Sequence, residues 1–182
     1  MFHTLEEVSA LFTPAELAAI DAAAEIDQFG ARNDALTSTV AWANHVEKLD
    51  VDRALTVDDH SVWTEHDLIA AMYMRDRASR ALALLPHELA ERLLGPVAAA
   101  DDQYRGFTVE DSGVRINAIN MIPKPDRAWW WYRVPADGPV AVFLSRYDAR
   151  GNYVGQSEGD ESKLITPPVG HDDSPIPGPW GG

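Results

Sequence analysis

The sequence predicts an α+β fold: a helical N-terminal half of about five helices, packed on a small antiparallel β-meander and followed by a Pro/Gly-rich C-terminal tail. Three observations predict it. Helix caps and apolar residues at helical spacing dominate residues 1–106. From Phe107 the apolar residues fall instead into short runs separated by turn residues. Residues 159–182 then hold five prolines and five glycines in 24 positions. Residues 1–158 form one α+β domain on this reading, helical over 1–106 and a meander over 107–158, and 159–182 form an extended or disordered tail.

Thr4-Leu5-Glu6-Glu7 is a capping box and opens a short helix to about Leu11. Thr13-Pro14-Ala15-Glu16 repeats the device with proline at the first helical position, and Gly30 is placed to end a helix that runs to about Gln28. Asn33 or Asp34 caps a third helix along Leu36, Val40, Ala43 and Glu47, with Trp42 and His45 beside that stripe. Asp50 to Val62 is acidic and without period, a loop. Thr64 with Asp67 opens the fourth and longest helix, whose stripe is Leu68, Met72, Arg75, Ala78, Leu82 and Leu85. A fifth carries Leu89, Leu93 and Leu94, and Gly95-Pro96 is expected to kink or divide it.

Four strands are expected after Phe107: Val114–Ile122, Trp129–Val134, Val140–Tyr147 and Asn152–Gln156. Asp148-Ala149-Arg150-Gly151 is a type I turn between the last two. Alternation along such strands gives two faces. An aliphatic one includes Trp130, Tyr132 and Val134 and is the wall for the helices. The second collects Asn117, Met121, Trp129, Trp131, Arg133, Phe143 and Tyr147, a mixture typical of protein interfaces. Trp180 of the tail is a candidate lid over it, or a docking anchor in its own right.

Charge narrows the function. The chain carries a net charge of −14, with −11 in residues 1–106, zero in 107–158 and −3 in 159–182. Such a chain repels phosphate backbones, so direct nucleic-acid binding is disfavoured. There is no cysteine, which excludes thiol catalysis and cysteine–metal sites. No apolar run approaches the roughly 20 residues of a membrane span, no signal peptide is visible, and a cytoplasmic location is expected.

No catalytic motif is present: neither a nucleophile elbow, a phosphate-binding loop, a dinucleotide fingerprint nor a zinc-helix pair. The densest polar cluster holds Asp59, His60, Glu65 and His66, residue types that ligate metals, and it supports the alternative of a small His/Asp/Glu enzyme, metal-dependent in one form. Its spacing matches no helical ligand pair, and an acidic loop feeding a helix N-terminus explains it as well. Arg75, Arg77, Arg80 and Arg92 suit an anionic ligand, or ion pairs with Asp67, Asp76, Glu88 and Glu91, and the pairs are favoured. A further alternative is an acidic mimic of nucleic acid. The leading expectation is a non-enzymatic protein-interaction module, a small acidic adaptor, inhibitor or accessory subunit. It requires no cofactor and binds a protein partner through the aromatic/Arg face, the tail, or both.

Overall fold

A computed structural model describes residues 4–27, 30–120 and 128–155. The chain is mostly helical, with two small antiparallel sheets of two strands each. The helices are α1 (Leu5–Ser9), α2 (Pro14–Ala22), α3 (Ala35–Asp52), α4 (Glu65–Ala83), α5 (His87–Phe107), α6 (Val114–Ile119) and α7 (Gly138–Leu144). Strands β1 (Glu25–Ile26) and β2 (Arg32–Asn33) pair before α3, and β3 (Thr108–Glu110) pairs with β4 (Arg133–Pro135) after α5. No helix among the described residues is long and apolar enough to cross a membrane.

The capping boxes form as their sequences dictate. Thr4, Thr13 and Thr64 each accept a backbone N–H of the first turn, and Glu7, Glu16 and Asp67 reach back to the cap backbone. Of the two cap candidates before α3, Asp34 is the one used, accepting from Thr37 N at 2.8 Å. Asn33 is instead buried, with Ser38 Oγ donating to it at 2.7 Å and its own amide donating to Arg77 O at 3.3 Å.

The long helices α3, α4 and α5 pack on one another and hold most of the core. The face that α3 buries is Ala35, Ser38, Thr39, Trp42, Ala43, Val46 and Leu49. This is the expected stripe rotated by one position, so Trp42 lies at its centre and Leu36, Val40 and Glu47 at its margin. Trp42 supplies more apolar area than any neighbour, and it draws the face round.

Helix α2 stops at Ala22, well short of Gln28. Ion pairs from Arg77 to Asp27 and from Arg80 to Glu25 pull the next residues into the β1–β2 hairpin beside α4. Helix α5 runs unbroken through Pro96 and, at 21 residues, is longer than α4 at 19. Pro96 denies Arg92 its helical hydrogen bond at a cost of about 3 kcal/mol. Burial of Leu93, Pro96, Val97 and Ala100 against the bundle offsets it.

The expected meander is replaced. Val114–Ile119 is helical, burying Ile116 and Ile119 one turn apart. Gly113 opens it at φ 75°, where a Cβ would stand 3.2 Å from Tyr132 Cδ1, so glycine alone fits. Trp129–Tyr132 is a turn of 3-10 helix, with only Arg133–Pro135 extended. Gly138–Leu144 is helical behind Pro139, burying Val140 and Leu144 at i,i+4. In each case the apolar residues meet α4 or the core better on a helical face than across a pleat. Only the last hairpin keeps its predicted form: Gly151 N donates to Asp148 O at 2.9 Å, and Tyr147 bridges Tyr153. The proposed domain boundary at 158, the end of the last expected strand and the tail lie outside the described residues.

His45 on α3 is half-buried, its ring 4.9 Å from that of Trp63 and its Nδ1–H donating to Ala41 O at 2.7 Å. Burial pushes its pKa below the ordinary 6.5, with the Ala41 bond and the Asp67 charge opposing. The folded state therefore favours the neutral ring. That contribution to stability is complete above about pH 6.5 and declines as pH falls below it. Urea midpoints should drop between about pH 7.5 and 5.5, and His45→Gln should flatten that slope.

Candidate functional site

The tryptophan run is organised from beneath by two carboxylates. Asp76 on α4 accepts Trp130 Nε1–H at 3.0 Å and Trp131 Nε1–H at 3.1 Å. Asp101 on α5 accepts Trp42 Nε1–H at 2.9 Å and two N–H groups of Arg75 at 2.7 and 2.8 Å. Arg75 in turn lies over the Trp130 ring at 4.3 Å. The Arg75–Asp101 side chains are 11% and 9% exposed, so this fork-to-carboxylate pair is largely dry. Tyr73 meets Trp131 edge-on at 5.2 Å and donates its hydroxyl to Asn120 Oδ1 at 3.1 Å.

The two acceptors explain the backbone. On a strand Trp130 and Trp131 would point to opposite faces. One carboxylate can hold both indoles only if the chain turns, and the 3-10 turn does this. Trp130 and Trp131 are 6% and 0% exposed, so both are core. Trp131 therefore leaves the expected interaction face, covered by α4.

Trp129 lies at the edge of this core, half-buried. Its ring packs on Trp130 at 5.7 Å and Tyr104 at 6.2 Å, and Arg105 stacks over it at 3.8 Å. Arg133 is held by Thr108: its Nε–H donates to Thr108 Oγ1 at 2.9 Å and its Nη2 to the Thr108 and Arg105 carbonyls. It thereby closes the C-terminus of α5. Tyr104 Oη–H donates to Arg133 O at 3.0 Å, and burial pushes the Tyr104 phenol strongly up. Together Arg105, Glu110, Asp111, Trp129, Tyr132 and Arg133 line an open groove of about 450 Å³.

The other expected contact residues do not gather there. Asn117 is exposed on α6, Phe143 on α7 lies beneath Arg146 at 4.7 Å, and Tyr147 packs on Tyr153 at 5.4 Å. Met121 and Trp180 lie outside the described residues. The sequence reading missed Arg105 and assigned Tyr132 to the aliphatic face. The 3-10 turn exposes Tyr132 to 41%, and no local pattern announces it.

Asp59 accepts from Ser61 N at 2.9 Å and Ser61 Oγ at 2.7 Å, which hold its carboxyl below the usual range. His60 and His66 are exposed, and Glu65 opens α4. Among the described residues no three His, Cys, Asp or Glu side chains are grouped to hold a metal ion. The four arginines singled out from the sequence are ion-paired, though with distant acids rather than helical neighbours: Arg75 with Asp101, Arg77 with Asp27, Arg80 with Glu25 and Arg92 with Glu16.

No protein-family model, curated protein or solved structure matches the chain.

Trp131→Ala should cost about 3–5 kcal/mol in urea unfolding, the range for emptying a buried aromatic site. Trp129→Ala should cost only about 1 kcal/mol, because the ring lies at the core's edge. Arg75→Ala strands the Asp101 charge and should cost about 3–5 kcal/mol. Equal losses for the two tryptophans would show that Trp129 is also structural.

Proposed function

We propose that the protein is a non-catalytic interaction module that binds a segment of a protein partner in the Trp129–Tyr132–Arg133 groove. One observation carries the reading. Trp129 and Arg133 are immobilised by contacts from below, yet both line an open groove beside a 41% exposed tyrosine. Rigid aromatic and arginine side chains lose little entropy on contact, and they supply most hot spots of protein interfaces.

Charge supports the same surface. The groove's two arginines and two carboxylates cancel, in a protein of net −14. An acidic decoy draws less support, since Asp52 and Asp101 are buried and many other acids are spent on internal ion pairs. A partner arriving at a neutral, aromatic site relies on shape and apolar contact more than on steering.

The test compares wild type with Trp129→Ala and Tyr132→Ala in quantitative affinity enrichment, followed by direct titration of the recovered partner. Both variants should unfold near the wild-type temperature and lose at least tenfold in affinity. Ile26→Ala, at a 68% exposed position on β1, should bind as wild type. Unchanged affinity in the two groove variants would move the interface elsewhere.

A further inference from the structure

We propose that the partner segment adds as a β-strand to the open edge of β3, with a basic residue opposite Glu110 and an apolar residue beside Val109; this rests on the groove being the partner site. The main-chain bonds of the β3–β4 pair leave that edge open. Asp111 N donates to Tyr132 O at 2.8 Å and Ala136 N to Phe107 O at 3.1 Å, with Val109 opposite Val134 between them. In an antiparallel ladder this alternation turns the N–H and C=O of Thr108 and Glu110 away from β4. Pro135, opposite Thr108, therefore loses nothing by lacking an N–H. The Thr108 carbonyl is taken by Arg133. Among the described residues β3 pairs with β4 alone, and the N–H and C=O of Glu110 meet no partner.

The side chains around this edge define what such a strand carries. Arg105 pairs with Asp102 and Asp111 with Arg115. Arg133 is opposite Glu110 in the register, yet it is drawn to the Thr108 hydroxyl and to main-chain carbonyls. Glu110 is exposed, and its carboxylate makes no ion pair or hydrogen bond among the described residues. The residue directly across on an added strand lies on the same face as Glu110, about 5 Å away, so a lysine or arginine there meets an unspent carboxylate. The next residue along turns to the other face, beside Val109, which is 49% exposed. The segment therefore alternates basic and apolar side chains.

The same edge disfavours a second copy of the protein. Exposed edges are commonly blunted by lysine, proline or a bulge, and Thr108-Val109-Glu110 carries none of these. Its one protective device is the Glu110 charge. A two-fold pairing of β3 with itself, centred on this open position, would set one glutamate against the other between two proteins of net −14. A basic strand instead removes the charge. Glu110 also lines the groove walled by Trp129 and Tyr132, so main-chain pairing and aromatic contact fall on one continuous segment.

The probe is a capped peptide of alternating lysine and valine, titrated into the intact isotope-labelled protein and followed by NMR. It should bind saturably and slow hydrogen exchange of the Glu110 amide at least tenfold. A peptide with glutamate in place of lysine, and one with N-methylated lysines that cannot pair as a strand, should each bind at least tenfold more weakly. Glu110→Ala removes the charge alone and should weaken binding severalfold. Glu110→Pro also removes an N–H that β4 does not use, so it should unfold near the wild-type temperature yet bind at least tenfold more weakly than Glu110→Ala. Should Glu110→Pro fail to fold, the N-methylated peptide makes the same comparison on the wild-type protein. No saturable binding, equal binding of the N-methylated peptide, or equal binding by a folded Glu110→Pro and Glu110→Ala overturns the proposal. So does a Glu110 amide already slow to exchange in the free protein, since the edge would then be occupied by the chain itself or by a second copy. If strand addition fails while Trp129→Ala still loses the enriched partner, the binding mode falls and the groove stands. If the peptide binds at Glu110 while Trp129→Ala keeps the enriched partner, the groove reading falls, and with it the assignment of this edge to the partner.

Discussion

Two indole N–H groups from consecutive residues end on the one carboxylate of Asp76, and the C-terminal half of the fold depends on this. Each buried indole N–H left unsatisfied would cost ~1–3 kcal/mol, and the half-buried Asp76 carboxylate supplies both with an acceptor. The three groups satisfy one another only when the chain turns at Trp129–Tyr132. That turn carries Trp130 and Trp131 onto α4 and ends where β4 begins to pair with β3. Arg75 joins this arrangement to the rest of the bundle. Its guanidinium bridges Asp101, which also holds Trp42 of α3, while its face covers Trp130. Helices α3, α4 and α5 and the tryptophan turn thus share one continuous polar and aromatic network.

The same network decides what remains at the surface. Trp129 precedes the two anchored indoles and is left at the margin, where Tyr104 and Trp130 support it from below and Arg105 covers part of its ring. Arg133 follows the turn and is fixed by the end of α5. An aromatic groove therefore forms as the outer edge of a rigid core rather than on a loose loop. Such pre-organisation would limit the entropy lost if the proposed partner segment binds there.

Local signals were readable in particular places. The Thr4, Thr13 and Thr64 caps act within four residues of chain, so tertiary context leaves them alone. The Asp148–Gly151 turn is equally local, with Asp148 accepting from Arg150 N and Asn152 N. Where an outcome depended on distant partners, the reading drifted. Helix α2 is cut short by ion pairs to Arg77 and Arg80, 50 and 55 residues from their acidic partners. Pro96 reads as a break, yet packing carries α5 through it. Val114–Ile119 and Val140–Leu144 have β-branched strand composition and are helices, because their buried pairs Ile116/Ile119 and Val140/Leu144 face one neighbour at helical spacing. Of the expected contact face, Trp129 and Arg133 line one groove, while Trp131 is core and Asn117, Phe143 and Tyr147 lie on other elements.

By itself the sequence determined the helical N-terminal half, its caps, the charge distribution and the concentration of aromatic mass at Trp129–Tyr132. These rest on hydrogen bonds and periodicities that close within one or two turns of chain. Only the tertiary structure decided which tryptophans are core and which borders solvent. The deciding atoms are the carboxylate oxygens of Asp76, more than 50 residues away in the chain. On propensity alone four aromatics in a row favour a strand. One carboxylate that accepts from two consecutive indoles requires the turn.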